Sequence, residues 1–382
     1  MNKPWPTKKL GEIAEIYSGG RSGITKKDYI EKGFPAFSAA GQDGFTKEAY
    51  DSGFAVILSS IGSRCGKCFY AEGEWTALAN TQIIKFENPV TAKFMYHYLN
   101  DANKWPKTGT GQPFISPSVV KNLIALFPPL LTQQKIVKIL DTIQEAVEIQ
   151  EKIIEKTKEL KKSLMAELFN YGGPSYRKGR GLKKTEIGEI LENWEVVRLE
   201  EVCKLRKEQN FPNSSDKYVG LEHLDSGEIC IRRYGLGSEV TSLKNKFYPD
   251  DILYGKLRPY LDKAAIANFE GVCSTDLLVI NVNKNKISPF YLIELMHTKR
   301  FLSFTVGTMS GTNHPRTSWD FLKNFQIPLP PLPEQQEVVE ILQTIDKRIE
   351  IEKKKKGLYE ELFRTTLNKI MNQEIDVEKI KI

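Results

Sequence analysis

Two stretches of this chain, 202 residues apart, say nearly the same thing: residues 127–143 read FPPLLTQQKIVKILDTI and residues 329–345 read LPPLPEQQEVVEILQTI. Of these 17 positions, 10 are identical, including both prolines, the leucine after them and the Gln-Gln pair. A repeat this long is not a solenoid unit, which runs about 20–50 residues. It indicates a duplicated domain together with the helix that leaves it. The chain therefore has to fold as two copies of one device.

Weaker traces extend the duplication. Trp5 to Leu10 (WPTKKL) opens the first copy much as Trp194 to Leu199 (WEVVRL) opens the second, and SPSVVKN at 116–122 matches SWDFLKN at 318–324. Between these frames the copies differ almost everywhere. The starts are offset by 189 and the ends by 202, so the second copy holds 13 additional residues. Matched frames with mismatched interiors suggest one scaffold carrying two specificities.

At 382 residues, two domains are the natural expectation, each long enough to bury a core. No run of 18 apolar residues occurs, which argues against a transmembrane helix, and the basic start MNKPWPTKKLGEI lacks the apolar region of a signal peptide. Five cysteines, scattered except for Cys65 and Cys68, suit a reducing cytoplasm. The net charge of +7 permits nucleic acid as a partner without requiring it.

Hydrophobic patterning divides the chain. Up to Phe127, short β-type runs (54–58, 81–86) alternate with turns, and a short helix is expected at 92–100. From Thr132 to Asn170 there is no Gly or Pro for 39 residues. Apolar residues there recur at helical spacing among Lys, Glu and Gln, which predicts an amphipathic helix of roughly 60 Å at 1.5 Å per residue, with Thr132 as its N-cap. A Gly-rich basic stretch, 171–181, reads as a flexible linker. The second mixed domain has strand candidates at 218–221, 252–254 and 277–280 and a helix at 289–297, and a second long helix is expected over 334–372.

The apolar stripes of the two long helices need partners, and each can serve the other. The second domain begins where the first helix ends and must deliver the chain to the start of the second helix. With a radius of gyration near 15 Å for about 145 residues, it cannot easily bridge the roughly 60 Å length of a helix. The helices should therefore be antiparallel, with one domain at each end of a dumbbell. The predicted class is α+β: two mixed α/β domains joined by two long antiparallel helices, with an internal pseudo-two-fold repeat. Expected boundaries are 1–130, 131–172 (first helix), 173–185 (linker), 186–332, and 333–382 (second helix and tail).

The segments TEIGEILENWEVVRL at 185–199 and DDILYGKLRPY at 250–260, with the two Pro-Pro-Leu-x-x-Gln-Gln helix starts, resemble the specificity subunits of type I restriction–modification systems. The resemblance covers the whole chain. It implies that each mixed domain is a target recognition domain and that the helical pair is a spacer. It implies a subunit without chemistry of its own, which binds double-stranded DNA and docks two methyltransferase subunits, with two restriction subunits completing the complex. AdoMet, ATP and Mg would belong to those partners, and no membrane would be involved. Leu191 departs from the pattern, standing where the family usually has proline, and should loosen the way into the second domain.

Reading DNA needs cations for phosphates and forked or amide groups for bases. In the second copy, YGKLRPY at 254–260 places Lys256 and Arg258 near a strand end, with Tyr260 and Lys263 beyond, and the loop GTMSGTNHPR at 307–316 carries Thr312, Asn313, His314 and Arg316. The corresponding pieces of the first copy, SSIGSRCGK at 59–67 and GTGQPF at 109–114, offer Arg64, Lys67 and Gln112. Each could equally be an ordinary solvated loop residue. The run Lys353 to Lys356 reads first as a solvated helix face, with a phosphate contact as the alternative.

Signatures of catalysis are missing from the sequence. Cys65-x-x-Cys68 has zinc-type spacing but no second Cys or His pair beside it. No G-x-x-x-x-G-K-[ST] loop occurs. The Pro-Pro steps lack the polar and aromatic flanks with which adenine methyltransferases grip a flipped base, and read instead as hinges between domain and helix. The rival reading, a methyltransferase or nuclease with divergent motifs, would need an AdoMet signature or an acidic metal cluster. A coiled-coil linker protein would not need two divergent β-rich domains.

Overall fold

In the computed structural model, which describes residues 4–108, 112–311 and 315–380, the apolar strand Phe54–Ser59 is buried on both faces. That double burial sets the layering of the first of two units, the chain up to Glu151 together with the chain from Lys353 onward. The strand sits inside an antiparallel sheet of Glu15–Ser18, Thr81–Phe86, Phe54–Ser59 and Cys68–Ala71. Successive side chains point to opposite faces. Val56, Leu58, Ile84 and Phe86 therefore meet helical side chains, among them Phe94, Met95, Ile136, Leu140 and Ile370. Ala55, Ile57 and Ile83 meet Phe37 and Trp75 instead. Phe37 and Trp75 flank and belong to a second sheet of Gly41–Thr46, Phe34–Ser38, Glu74–Ala77 and Asp51–Ser52. The helix Pro89–Leu99 starts where Asn88 caps the amides of Val90 and Thr91, with proline at its first position.

The second unit, Lys152–Glu352, repeats the scheme. One sheet holds Cys203–Leu205, Leu277–Val282, Ile252–Gly255 and Ala264–Ile266, and a five-stranded sheet holds Gln209–Asn210, Lys244–Phe247, Gly271–Cys273, Lys217–Val219 and Gly235–Leu236. The helix Pro289–Met296 buries seven of its eight residues. In each unit a two-stranded ribbon closes the domain: Thr7–Lys9 with Ile124–Leu126, and Glu195–Arg198 with Gln326–Leu329. These are the matched frames seen in the sequence.

The long helices run Leu130–Tyr171 and Leu332–Met371. Within each unit their segments are antiparallel. In the first, Glu151 pairs with Lys356 at 2.6 Å while Thr132, near the other end, reaches Glu378 beyond the second helix. In the second, Lys161 pairs with Asp346 at 2.7 Å, and Leu168 shares a core with Val338 and Leu342. Among the described residues no helix is long and apolar enough to cross a membrane.

Four expectations need correction. The Pro-Pro steps are clamped joints and not hinges: Gln133 Nε2 donates to Pro128 O and Gln335 Nε2 donates to Pro330 O, both at 2.8 Å and both buried. Thr132 is not the N-cap, because the helix starts two residues earlier and places it in the first turn. The linker is docked and not loose: Ser175 N donates to Glu337, and Arg180 reaches buried Glu334, which also accepts from Trp194 Nε1 of the domain entry. Leu191 does not loosen the way into the domain. It is fully buried against Ile190 and Trp194, and the apolar side chain fills that small core.

Candidate nucleic-acid interface

The candidate residues lie on a pair of loops that both units build with the same backbone bonds. In the first unit the chain leaves Phe54–Ser59, and Ser59 N donates to Lys67 O, Ser60 N to Asn80 O and Cys65 N to Gly62 O. In the second unit Gly255 N donates to Lys263 O, Lys256 N to Asp276 O and Leu261 N to Arg258 O. Each position reappears 196 residues on, 59 becoming 255 and 80 becoming 276. A second loop then pins the first. Gly62 N donates to Pro113 O and Ile115 N to Ser60 O, while Thr108 and Phe114 exchange both of their bonds. Arg258 N donates to Pro315 O and Thr317 N to Lys256 O, while Ser310 and Arg316 exchange theirs. These partners lie 202 residues on, 114 becoming 316.

These seven backbone bonds thus recur in the second unit, and most of the side chains they present differ. Ser60, Gly62 and Arg64 in one copy stand where Lys256, Arg258 and Tyr260 stand in the other, while Lys67 and Lys263 keep the same residue.

In the first unit, Arg64 and Gln112 come together on an open groove of about 530 Å³, also lined by Lys26, Ser38, Gly62 and Asn80. The Arg64 guanidinium donates to Ala40 O at 2.6 Å, so one edge is fixed and the rest faces outward. Gln112 lies over Gly62, where an added Cβ would be 3.5 Å from its amide nitrogen. Lys67 is exposed but does not line the groove. Two of the lining residues, Lys26 and Ser38, belong to a polar set around Asp43 that no local sequence pattern announces. Lys26, Tyr29 and Ser38 all donate to Asp43. Burial alone would raise the Asp43 carboxyl, but these bonds hold it below the usual carboxylate range.

In the second unit, Lys256 is half-buried, while Arg258 and Tyr260 are exposed on the same loop. Arg316 meets that loop through its backbone, and its guanidinium reaches Asp276 at 3.3 Å. Lys263 points inward and corrects the expectation of an outward cation, because its ammonium donates to Leu221 O at 2.7 Å. Thr312, Asn313 and His314 lie outside the described residues. A residue that sequence reading passed over is His297, whose Nδ1 meets Asp262 on this loop at 2.8 Å. The two are 35 residues apart, with no motif joining them.

Elsewhere, the basic run on the second long helix is engaged with carboxylates at Lys356, which meets both Glu151 and Glu360. The Cys65 and Cys68 thiols donate to the carbonyls of Ser60 and Leu99, and burial pushes both thiols up. Among the described residues no three His, Cys, Asp or Glu side chains converge as a metal site would need.

Comparison with known proteins bears directly on this duplicated frame. The family model described as the type I restriction modification DNA specificity domain matches the chain twice, over residues 2–159 and 191–358. The EcoDI specificity subunit of Escherichia coli is 28% identical over 366 residues, covering 88% of this chain and 80% of that protein. The MjaVIII specificity subunit of Methanocaldococcus jannaschii is 26% identical over 411 residues, covering 98% and 94%. Among solved structures, the S subunit of the type I restriction–modification system from M. genitalium superposes with a TM-score of 0.55 at 16% identity, covering 96% of each chain. A chain from a study of complex assembly and conformational transition of the type I R-M system gives 0.58 at 17% identity, covering 97% and 98%. At such identities the superpositions speak for the fold.

Proposed function

The chain belongs to the family of type I restriction–modification DNA specificity subunits, and from that premise we propose that it reads one asymmetric, split DNA site, each recognition domain taking one half. The observation that carries this reading is the loop frame duplicated with different side chains, because identical readers would call for a palindrome. One turn of B-DNA spans about 34 Å, so two readers joined by long continuous helices suit half-sites about a turn apart. The helices set the gap. They also dock two methyltransferase subunits, and through them the restriction subunits. The chain itself is non-catalytic in this account: AdoMet, ATP and Mg are held by the partners.

Mapping of N6-methyladenine across a genome tests this in cells that express the chain with its own methyltransferase subunit, against cells lacking the chain. The expected result is methylation confined to one asymmetric motif with a fixed internal gap. A contiguous motif that persists without the chain would place specificity elsewhere.

A further inference from the structure

Two residues on the second unit's loop hold a left-handed backbone that side chains avoid. Arg258 has φ 51° and ψ 62°, and Asp262 has φ 51° and ψ 53°. Their counterparts in the first unit are Gly62 and Gly66, at φ 89° and 98°, a conformation glycine adopts freely. Arg258 also precedes Pro259, whose ring favours an extended residue before it. Strain of this kind persists where something compensates it.

For Asp262 the compensation is visible. Its carboxylate is paired with His297, and its carbonyl accepts from Gly227 N. For Arg258 only the backbone is held: its N–H donates to Pro315 O and its carbonyl accepts from Leu261 N. Its guanidinium is exposed, and among the described residues it has no hydrogen bond, ion pair or ring contact.

We propose that Arg258 is a fixed anchor for a DNA phosphate, its strained backbone compensated when the duplex binds. The inference rests on the function proposed above and adds the mode of contact. A phosphate is favoured over a base edge because the first unit supplies its loop guanidinium from Arg64, which occupies the place of Tyr260, two residues further along the frame. A forked contact to a base edge depends on a fixed side-chain geometry, whereas attraction between a cation and a phosphate tolerates such a displacement. What the two loops share is an arginine at or within two residues of the position pinned by the second loop, suited to fixing position and carrying no sequence information.

The test uses the complex of this chain with its methyltransferase subunit, titrated onto duplexes with and without the methylated motif over a series of salt concentrations. Arg258→Gly restores the residue of the first copy and removes both strain and charge; Arg258→Lys keeps the charge. For Arg258→Gly we expect several-fold weaker binding to both duplexes and a slope of log affinity against log salt reduced by about one. The methylated motif stays the same, and the melting temperature is unchanged or higher. Arg258→Lys should recover most of the slope. Relaxation of the motif at one base of one half-site would make Arg258 a base reader and overturn the proposal. Unchanged affinity and slope would overturn it as well. A wild-type complex that shows no preference for a split motif would instead sink the functional reading on which the proposal stands.

Discussion

Glu294 shows how far one position can diverge inside a shared frame. It is almost fully buried on the helix Pro289–Met296, with Lys161 at 3.0 Å and Asp346 sharing that ammonium. Counting from the prolines that start the two short helices, Pro89 and Pro289, its counterpart in the first unit is Phe94. At the helix-repeat offset of 202, Lys161 answers to Phe363. One unit fills this layer with rings and the other with charge. Burial pushes the Glu294 carboxyl up to about 7, and Asp346 adds to the rise, while Lys161 and His297 pull it the other way. Lys161 is lowered by burial but raised more by its two carboxylates, so it stays charged. A carboxyl with a raised folded pKa binds its proton more tightly in the native state. The stability it contributes is present below the unfolded value, near 4.3, and is lost as pH rises towards 7. The denaturation midpoint of the wild type should therefore fall between pH 5 and pH 8 by more than that of Glu294→Gln, as followed by urea titration. Parallel midpoints would show that the pair shares its charge differently. The sequence shows Glu294 as the one charged residue of a short, otherwise apolar helix, but its partners Lys161 and Asp346 lie far along the chain and emerge only from the fold. The Gln-Gln pairs were legible as identities, but their clamp on the proline carbonyl emerged only from the fold.

At the scale of elements, regular spacing is what the sequence exposed. Both long helices, the apolar strands 54–59 and 81–86 and the capped helix after Asn88 carry patterns that repeat within a few residues. The C-terminal tail carries none, and its role is set by partners far back in the chain. Thr132 donates to Glu378 Oε1 at 2.7 Å, Lys135 donates to Glu378 O at 2.8 Å, and Val377 is buried in the core of the first unit. In the second unit the corresponding helix start is held by Arg180 of the linker and Trp194 of the domain entry, both on Glu334. The tail is thus a structural part of the first unit. Deleting residues 373–382 should cost that unit about 2–4 kcal/mol, from one buried apolar side chain and several lost hydrogen bonds. Hydrogen exchange followed by mass spectrometry should then speed up over 130–140 and leave 332–345 unchanged. Equal acceleration at both helix starts would mean that the tail stabilises the whole chain and not its own unit.

At the scale of the molecule, modularity follows from where the cores lie. The first unit's main cluster joins Leu10, Val120 and Ala125 of the domain to Ile136 and Leu140 of the first long helix, and the second unit completes its own cluster from residues 165–342. A foreign domain that preserves the closing ribbon Thr7–Lys9 with Ile124–Leu126 and the apolar face beneath it should seat on the same helical segments. The exchange therefore calls for residues 1–126 of another family member with a different target, with the Pro-Pro step and its Gln133 clamp left in place. The reading of two independent heads predicts that one half of the methylated motif changes to that of the donor. The other half and the gap should stay as they were, because the helix lengths are untouched. Side-chain geometry on the loops, and not residue type alone, decides what each head reads. A motif altered in both halves would show that the heads read DNA jointly, and the duplicated frame would then serve assembly and not independent recognition.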